Sequence, residues 1–313
     1  MVITRRDFLK TASASLIAAG PPSLVASGLS RTVRAATTMK FGYAAITWGA
    51  DVTQAIDDIS AVGFRGIQLR SEAFAQFGDR PAALKDLLDR HRLTMAVLSS
   101  GNLSIDPAKE ESEIATHVSH ATFVKAVGGE YLQVIDERPK GRAIVADDYR
   151  RLGRLLTRLG ERTSAVGIPL VYHHHMNSLG EKPDEVAAVL DAADRRRVRL
   201  LFDVAHYQQG GGDPVAAIRK YRDWIQVVHL KDVEDIGGAG RAATVGQAGP
   251  AYRFVELGRG RVDLPGVFKA LDDIAFSGWS IVELDRVPDP NRTPKEAAEA
   301  NKRYLAERMD LTI

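Results

Sequence analysis

The sequence predicts a (β/α)8 barrel as the fold of most of the chain. After residue 39, eight short apolar runs rich in Val, Ile and Leu alternate with longer amphipathic stretches. Eight such units in about 275 residues match a (β/α)8 barrel in size and order. The composition agrees, since 45% hydrophobic and 26% charged residues are ordinary for a globular domain. A disordered chain, a collagen-like fibre and a coiled coil are therefore excluded.

The strand-like runs are continuous in apolar residues, which is typical of parallel strands buried on both faces. They cover residues 40–46, 66–69, 94–99, 131–135, 169–173, 199–203, 226–230 and 280–284. The stretches between them have an apolar stripe, and Asp213-Pro214 and Thr293-Pro294 are typical helix starts. They cover residues 52–62, 82–91, 111–127, 147–166, 183–193, 213–221, 264–274 and 294–308.

The connections between these elements favour the barrel over other folds. Gly63-Phe64 and Gly167-Ile168 are typical of a C-cap glycine followed by an entering strand. A doubly wound open sheet is the alternative, but the first turn, residues 47–51, lacks its G-x-G-x-x-G motif. Residues 234–261 form the one long irregular segment, which follows strand seven. It is either a lid over the active-site face or a surface loop.

Residues 1–35 are predicted to be a signal peptide. Residues 4–10, TRRDFLK, resemble a twin-arginine export signal, and residues 33–35, VRA, offer a cleavage site. The apolar stretch between them, residues 11–29, is too short and too broken by prolines to span a bilayer. We therefore expect the barrel, residues 36–313, to work in the periplasm or outside the cell without a membrane anchor. A basic tail is the alternative interpretation of these residues.

The charges and the missing cysteines exclude several function classes. The chain has 42 basic and 40 acidic residues, a formal charge of +2. Residues 1–35 hold five of the basic residues and one acid, so the remainder has a charge of −2. This gives no support for a nucleic-acid partner. The absence of cysteine excludes disulfides, thiolate metal sites and a cysteine nucleophile.

Polar residues follow the last four predicted strands, at the barrel end where active sites form. The endings are YHHH at 172–175, FDVAH at 202–206, VHLKD at 228–232 and VELD at 282–285. Side chains two apart on a strand share a face, so His173 and His175 point one way and His174 the other. Asp, His and Glu without Cys suit one divalent cation, with Mn²⁺, Co²⁺, Mg²⁺ and Zn²⁺ as candidates.

These endings resemble those of the xylose isomerase-like TIM barrels. That group includes sugar phosphate isomerases and epimerases, inosose dehydratases and endonuclease IV. The resemblance covers about residues 40–310, and its most specific pieces are DVAH at 203–206, HLKD at 229–232 and LGRGRVD at 257–263. It implies one divalent cation held by His173, Asp203, His229 and Glu283, with His173 in the place of a family glutamate.

The resemblance also implies roles for the neighbouring residues. Glu283 is expected to be the base, with His206 and Lys231 facing the substrate as catalytic and binding residues. His175 is a further candidate for substrate binding, and either His174 or His175 is the ligand if the alignment shifts by a residue. Trp48, after strand one, either stacks on a sugar ring or packs in the interior.

The function expected first is that of a metal-dependent sugar isomerase or epimerase. It would remove a proton next to the ketone of an unphosphorylated keto-sugar or cyclitol, with the cation stabilising the enediolate. A lyase of the inosose dehydratase or 3-keto-glycoside type uses the same enolisation and is one alternative. A non-catalytic sugar-binding barrel is another. The resemblance implies a homo-oligomer, although no segment demonstrates one, and an endonuclease-IV-like activity would need more metal ligands and a basic groove.

Overall fold

The computed structural model describes residues 39–236, 252–309 and 311, and the predicted signal peptide lies outside them. Within these residues, eight parallel strands close into a barrel, which confirms the predicted (β/α)8 fold. The barrel strands are β1 (Lys40–Ala44), β2 (Gly66–Arg70), β3 (Thr94–Leu103), β4 (Tyr131–Asp136), β5 (Leu170–His173), β6 (Val198–Asp203), β7 (Ile225–Leu230) and β10 (Trp279–Val282). Two further strands, β8 (Asp232–Asp235) and β9 (Tyr252–Val255), pair as an antiparallel hairpin.

Helices surround the barrel, because each has an apolar side that packs against the strands. Asp51, Asp203, Asp213 and Asp263 each begin one of them by accepting backbone N–H groups. None of the helices in the described part of the chain is both long and apolar enough to cross a bilayer. The helices are α1 (Val52–Val62), α2 (Ser71–Phe77), α3 (Pro81–Arg90), α4 (Glu110–Val127), α5 (Ala146–Ala165), α6 (Pro183–Asp191), α7 (Val204–Gln209), α8 (Pro214–Lys220), α9 (Leu264–Asp273) and α10 (Pro294–Met309).

The structure differs from the sequence prediction mainly at the carboxyl ends of the strands. A 3-10 turn, Ala45–Trp48, replaces the predicted end of strand one. Strand β3 continues to Leu103 through a bulge that lets it pair further with β4. Helices α2 and α7 are too short to give a clear periodic pattern. The segment 234–261, predicted to be irregular, contributes to the β8–β9 hairpin, and its residues 237–251 lie outside the described residues.

Packed side chains fill the barrel beneath its mouth. The large indole of Trp279 fits because Gly66 on β2 has no side chain; a Cβ at this position would lie 2.2 Å from the ring. Gly42 on β1 likewise faces Ile281, at 2.7 Å from such a Cβ. The residues of this cluster are at most 4% exposed: Ala44, Ala96, Val97, Val171, Leu201, Val227, Trp279 and Ile281.

We expect Gly66→Ala to destabilise the barrel by about 1–3 kcal/mol, because the added methyl group overpacks against the indole. Urea unfolding followed by circular dichroism measures this free energy. The double variant with Trp279→Phe should lose less than the sum of the two single variants, since the smaller ring relieves the clash. Unchanged stability of Gly66→Ala would show that the indole is not confined by β2.

Candidate metal and substrate site

Four predicted ligands meet at the carboxyl ends of four neighbouring strands. His173 and Asp203 end β5 and β6, His229 lies one residue before the end of β7, and Glu283 directly follows β10. All four are at most 5% exposed. His229 Nδ1 is 2.8 Å from Glu283 Oε2 and 3.4 Å from Asp203 Oδ2. The barrel therefore brings together residues that are far apart in the sequence.

Each of these four side chains presents one buried atom that receives no hydrogen bond from any residue outside the four. The atoms are His173 Nδ1, Asp203 Oδ2, His229 Nδ1 and Glu283 Oε2. Buried polar atoms in folded proteins are normally satisfied, so four of them in one place indicate a missing partner. Two carboxylate oxygens and two imidazole nitrogens suit a divalent cation of the kind predicted. The residues present thus fit a metal ion.

The remaining atoms of two of these ligands are held by neighbours. His229 Nε2 donates to Gln68 Oε1 at 2.9 Å, which leaves Nδ1 facing the two carboxylates, where a cation would replace the proton that this nitrogen otherwise carries. Asp203 Oδ1 accepts the backbone N–H groups of Ala205 and His206 at 2.9 and 2.8 Å, which begins helix α7. The ligand orientation is therefore fixed before any cation binds.

The other strand-five histidines have different surroundings. His174 Nε2 accepts the backbone N–H of Asp203 at 3.2 Å, and burial lowers its pKa to about 4. His175 stacks on His206 with ring centroids 3.8 Å apart, and its Nδ1 is 2.7 Å from the carbonyl oxygen of Met176. Nitrogens of His173, His175 and His206 also lie close enough to share an ion. However, His175 and His206 present no buried atom that lacks a partner. The set of His173, Asp203, His229 and Glu283 therefore fits a cation better.

Lys231 is completely buried among the predicted catalytic groups. Its Nζ is 2.5 Å from Asp285 Oδ1, 3.2 Å from Glu283 Oε1 and 3.3 Å from His206 Nε2. The ring of Phe254 from β9 covers the ammonium group at 4.1 Å from its centroid. The sequence analysis named Glu283, His206 and Lys231 as catalytic residues, and the structure brings these three side chains together; it gave no role to Asp285.

Burial and ion pairing have opposite effects on the pKa values in this cluster. Burial alone would raise the pKa of Glu283, but the charges of His229 and Lys231 hold it well below its usual range. Burial alone would lower the pKa of Lys231, but Asp285 and Glu283 raise it. Burial would also lower the pKa of His229, but the carboxylates of Glu283 and Asp203, which face its Nδ1, raise it to about 9. The strong negative potential that this reveals favours a bound cation.

A cavity of about 120 Å³ is lined by two of the four ligands, His173 and Glu283, and by polar side chains of β2, β3 and β4. Gln133 is 1% exposed and its Oε1 has no partner, so a polar acceptor is available there. Amides and hydroxyls of this kind suit a ligand with many hydroxyl groups. The sequence analysis missed these residues because it considered only strands five to eight. They are Gln68, Arg70, Ser99, Asn102 and Gln133.

Trp48 lies at the end of the 3-10 turn. Its indole N–H donates to Asp58 of α1 at 2.9 Å, and its ring meets Tyr43 edge-on with centroids 5.8 Å apart. These are the contacts of a packed side chain, and Trp48 is not among the residues that line the cavity. Its stacking on a substrate stays a prediction.

Known proteins with similar sequences share this fold. A model of the xylose isomerase-like TIM barrel matches residues 56–308. The chain belongs to the xylose isomerase-like TIM barrel family. Within it, an inosose dehydratase of Lacticaseibacillus casei is 29% identical over 313 residues, which cover 88% of this chain and 98% of that protein. An inosose dehydratase of Clostridium perfringens (strain 13 / Type A) is 27% identical over 302 residues, which cover 88% and 99%.

A solved structure supports the same fold. The IolI protein, crystallised with a bound zinc atom, has a TM-score of 0.72 and 19% identity, covering 86% of this chain and 97% of that one. At this identity the likeness shows the fold alone. These two relatives are inosose dehydratases, so the comparisons support the lyase alternative better than the isomerase or epimerase that the sequence analysis placed first.

Proposed function

We propose that this protein is a metal-dependent lyase that eliminates water from a keto-cyclitol of the inosose type or a related keto-sugar. One observation carries the proposal. Four buried ligand atoms that no residue outside their group satisfies converge beside a cavity whose polar lining includes amides and hydroxyls. The inosose dehydratase relatives support elimination as the outcome.

The four residues that would hold one divalent cation are His173, Asp203, His229 and Glu283. When bound, the cation would supply Lewis-acid polarisation of the substrate carbonyl. The side chains themselves arrange the charges around it. Asp203 and Glu283 contribute two negative charges in a place that excludes water, since they are 0% and 5% exposed.

Glu283 is the group proposed to take the proton next to the ketone. Its low pKa keeps it ionised and therefore able to accept a proton. The same low pKa makes it a weak base when no substrate is bound, because Lys231 and His229 stabilise its charge. Glu283 is therefore already ionised without further help. Proton transfer requires instead that the carbon next to the ketone of the substrate be made more acidic.

Lys231 and His206 are proposed to face the oxygen atoms of the substrate. Lys231 stays protonated, so its ammonium group stabilises negative charge as it develops. As the proton passes to Glu283, the electron pair forms a carbon–carbon double bond and the hydroxyl on the next carbon leaves. Glu283 then passes its proton to the departing hydroxyl, which leaves as water and restores the carboxylate. His206 is neutral, because burial holds its pKa well below its usual range, and its Nε2 accepts a hydrogen bond from Lys231 that orients the ammonium group.

The cavity favours a substrate without a phosphate group. Arg70 is the one cation among its lining residues, and its guanidinium is 3.2 Å from the carboxylate of Glu72. Its charge is therefore balanced locally. The other polar lining side chains, apart from those of the ligand set, are amides, hydroxyls and the imidazole of His175.

Proton NMR of an inosose, a 3-keto-glycoside and a set of ketoses in deuterated water tests the proposal. We expect loss of a hydroxyl group from the inosose, with deuterium exchange next to the ketone. Exchange without elimination would identify an isomerase or epimerase instead. Binding without any exchange would identify a sugar-binding barrel, and would overturn the enzymatic proposal.

Metal removal gives a separate expected outcome. Dialysis against a chelator should lower the elimination rate by more than about 100-fold, and one of the four candidate cations should restore it. Circular dichroism should show an intact fold throughout, because the barrel core does not involve the ligands. Full activity in protein shown to be metal-free by elemental analysis would contradict the metal-dependent part of the proposal.

A further inference from the structure

Strand β3 contains a bulge at the cavity. Ser99 pairs with Gln133 and Asn102 pairs with Ile135, so β3 has one residue more than β4 between these pairs. Gly101 has a φ of +103°, which glycine adopts without strain. Because of the bulge, Ser99, Gly101 and Asn102 all line the cavity with Glu283, whereas Ser100 does not.

Ser100 is held by two histidines of helix α4. Its Oγ is 2.6 Å from His117 Nδ1 and 2.7 Å from His120 Nδ1. The histidines are three residues apart and therefore lie on the same face of the helix. All three side chains are buried, at 5%, 2% and 7% exposure. The ring of Phe74 packs against His120, with centroids 4.4 Å apart.

The hydrogens in this cluster can be assigned. Burial, assisted by the neighbouring His120, lowers the pKa of His117 to about 4, and burial also lowers the pKa of His120, so both rings are neutral. One hydroxyl can donate to only one of them and must accept from the other. Ser100 therefore donates to the Nδ1 of one histidine and accepts from the Nδ1 of the other, so the two rings are opposite tautomers.

We propose that Ser100, His117 and His120 form a clamp that positions Asn102 for substrate binding. The clamp engages the Ser100 hydroxyl both as a donor and as an acceptor, so it fixes the side of β3 on which Ser100 lies. A bulge is the place where a strand can shift its register by one residue. Such a shift would turn Asn102 away from the cavity. The clamp residues therefore act by positioning Asn102. That Asn102 binds the keto-cyclitol substrate rests on the proposed function.

The kinetic test uses Ser100→Ala with a matched control. We expect the KM for the inosose to rise about five- to tenfold, the effect of one lost hydrogen bond, while kcat stays within about twofold. Ser60→Ala removes a similar bond, from Ser60 Oγ to His91 Nδ1 at 2.9 Å, in a part of the protein that does not line the cavity. It should leave KM unchanged, and an equal rise in both variants would overturn the proposal.

A double-mutant cycle separates positioning from general packing. Asn102→Ala alone should raise KM, and adding Ser100→Ala should then have almost no further effect, because Ser100 acts through Asn102. Independent, additive effects of the two substitutions would overturn the proposal.

A measurement without substrate keeps the test independent of the proposed function. In NMR spectra of ¹⁵N-labelled protein, His117 and His120 should show opposite protonation at Nδ1. Ser100→Ala should shift the side-chain amide signals of Asn102, and Ser60→Ala should not. Matching tautomers, or unmoved Asn102 signals, would overturn the clamp even if elimination is observed. If no substrate is turned over, these spectra alone decide, so the two proposals can fail separately.

Discussion

Glu283→Gln is expected to abolish the exchange of the substrate proton with deuterated water. Removing a general base typically costs about 10²–10⁴ in rate, and the substitution also replaces a carboxylate that is 2.8 Å from His229 and 3.2 Å from Lys231. The amide cannot accept the proton, although it has nearly the same shape. NMR in deuterated water measures the exchange directly, separately from elimination.

Two controls assign the loss to the base. Metal content must be measured in the same preparation, because Glu283 is also a proposed ligand, and the comparison should be made with saturating cation. Glu256→Gln alters another buried carboxylate, 2% exposed and 3.0 Å from Arg292, which does not line the cavity. That variant should keep full exchange activity. Retained exchange in metal-loaded Glu283→Gln would remove Glu283 from the role of base.

Asp203→Asn is expected to lower the affinity for the cation by more than about 100-fold. Changes to groups that only orient a ligand cost about 10–100-fold, so losing the charge of a ligand should cost more. The Asn side chain keeps an oxygen that can accept the N–H groups of Ala205 and His206, so helix α7 should still begin normally. Competition with a chromogenic chelator measures the affinity.

Asp203→Ala separates the two uses of this carboxylate. It should bind the cation as poorly as Asp203→Asn and should be less stable by about 1 kcal/mol, the usual contribution of a helix N-cap. Asp213 begins helix α8 with the same pattern of two accepted N–H groups. Asp213→Ala should therefore show the stability loss without the loss of affinity. Normal cation binding by Asp203→Asn would exclude Asp203 from the ligand set.

The barrel and the polar strand ends could be predicted from the sequence because they depend on local patterns, whereas the choice of the four proposed ligands among those ends came from the family resemblance. Apolar runs, helix starts and polar residues at strand ends are all visible within a few residues. Closure of a parallel barrel then brings the strand ends to one mouth whatever the details of packing. His173, Asp203 and His229 lie together for this reason.

The partners of these residues could not be predicted in the same way. Gln68 bonds His229 across 161 positions, and Asp285 bonds Lys231 across 54, so no spacing links them in the chain. Ser100, in the bulge of β3, is hydrogen-bonded to two histidines of the following helix. Applying the strand-end rule to strands two to four would have found Arg70 and Asn102, but not the pairing that places them.

The packed floor formed around Trp279 determines how molecules can move through the site. Side chains at most 4% exposed fill the barrel below the ligands, so this layer offers no second passage for small molecules. In the proposed elimination, the substrate would then enter, and the product and the released water would leave, through the mouth of the barrel. If the product left slowly, the water molecule formed with it would be retained in the site. Addition of this water back to the product would then compete with product release. Turnover would then depend on the departure of the product as much as on the chemical step.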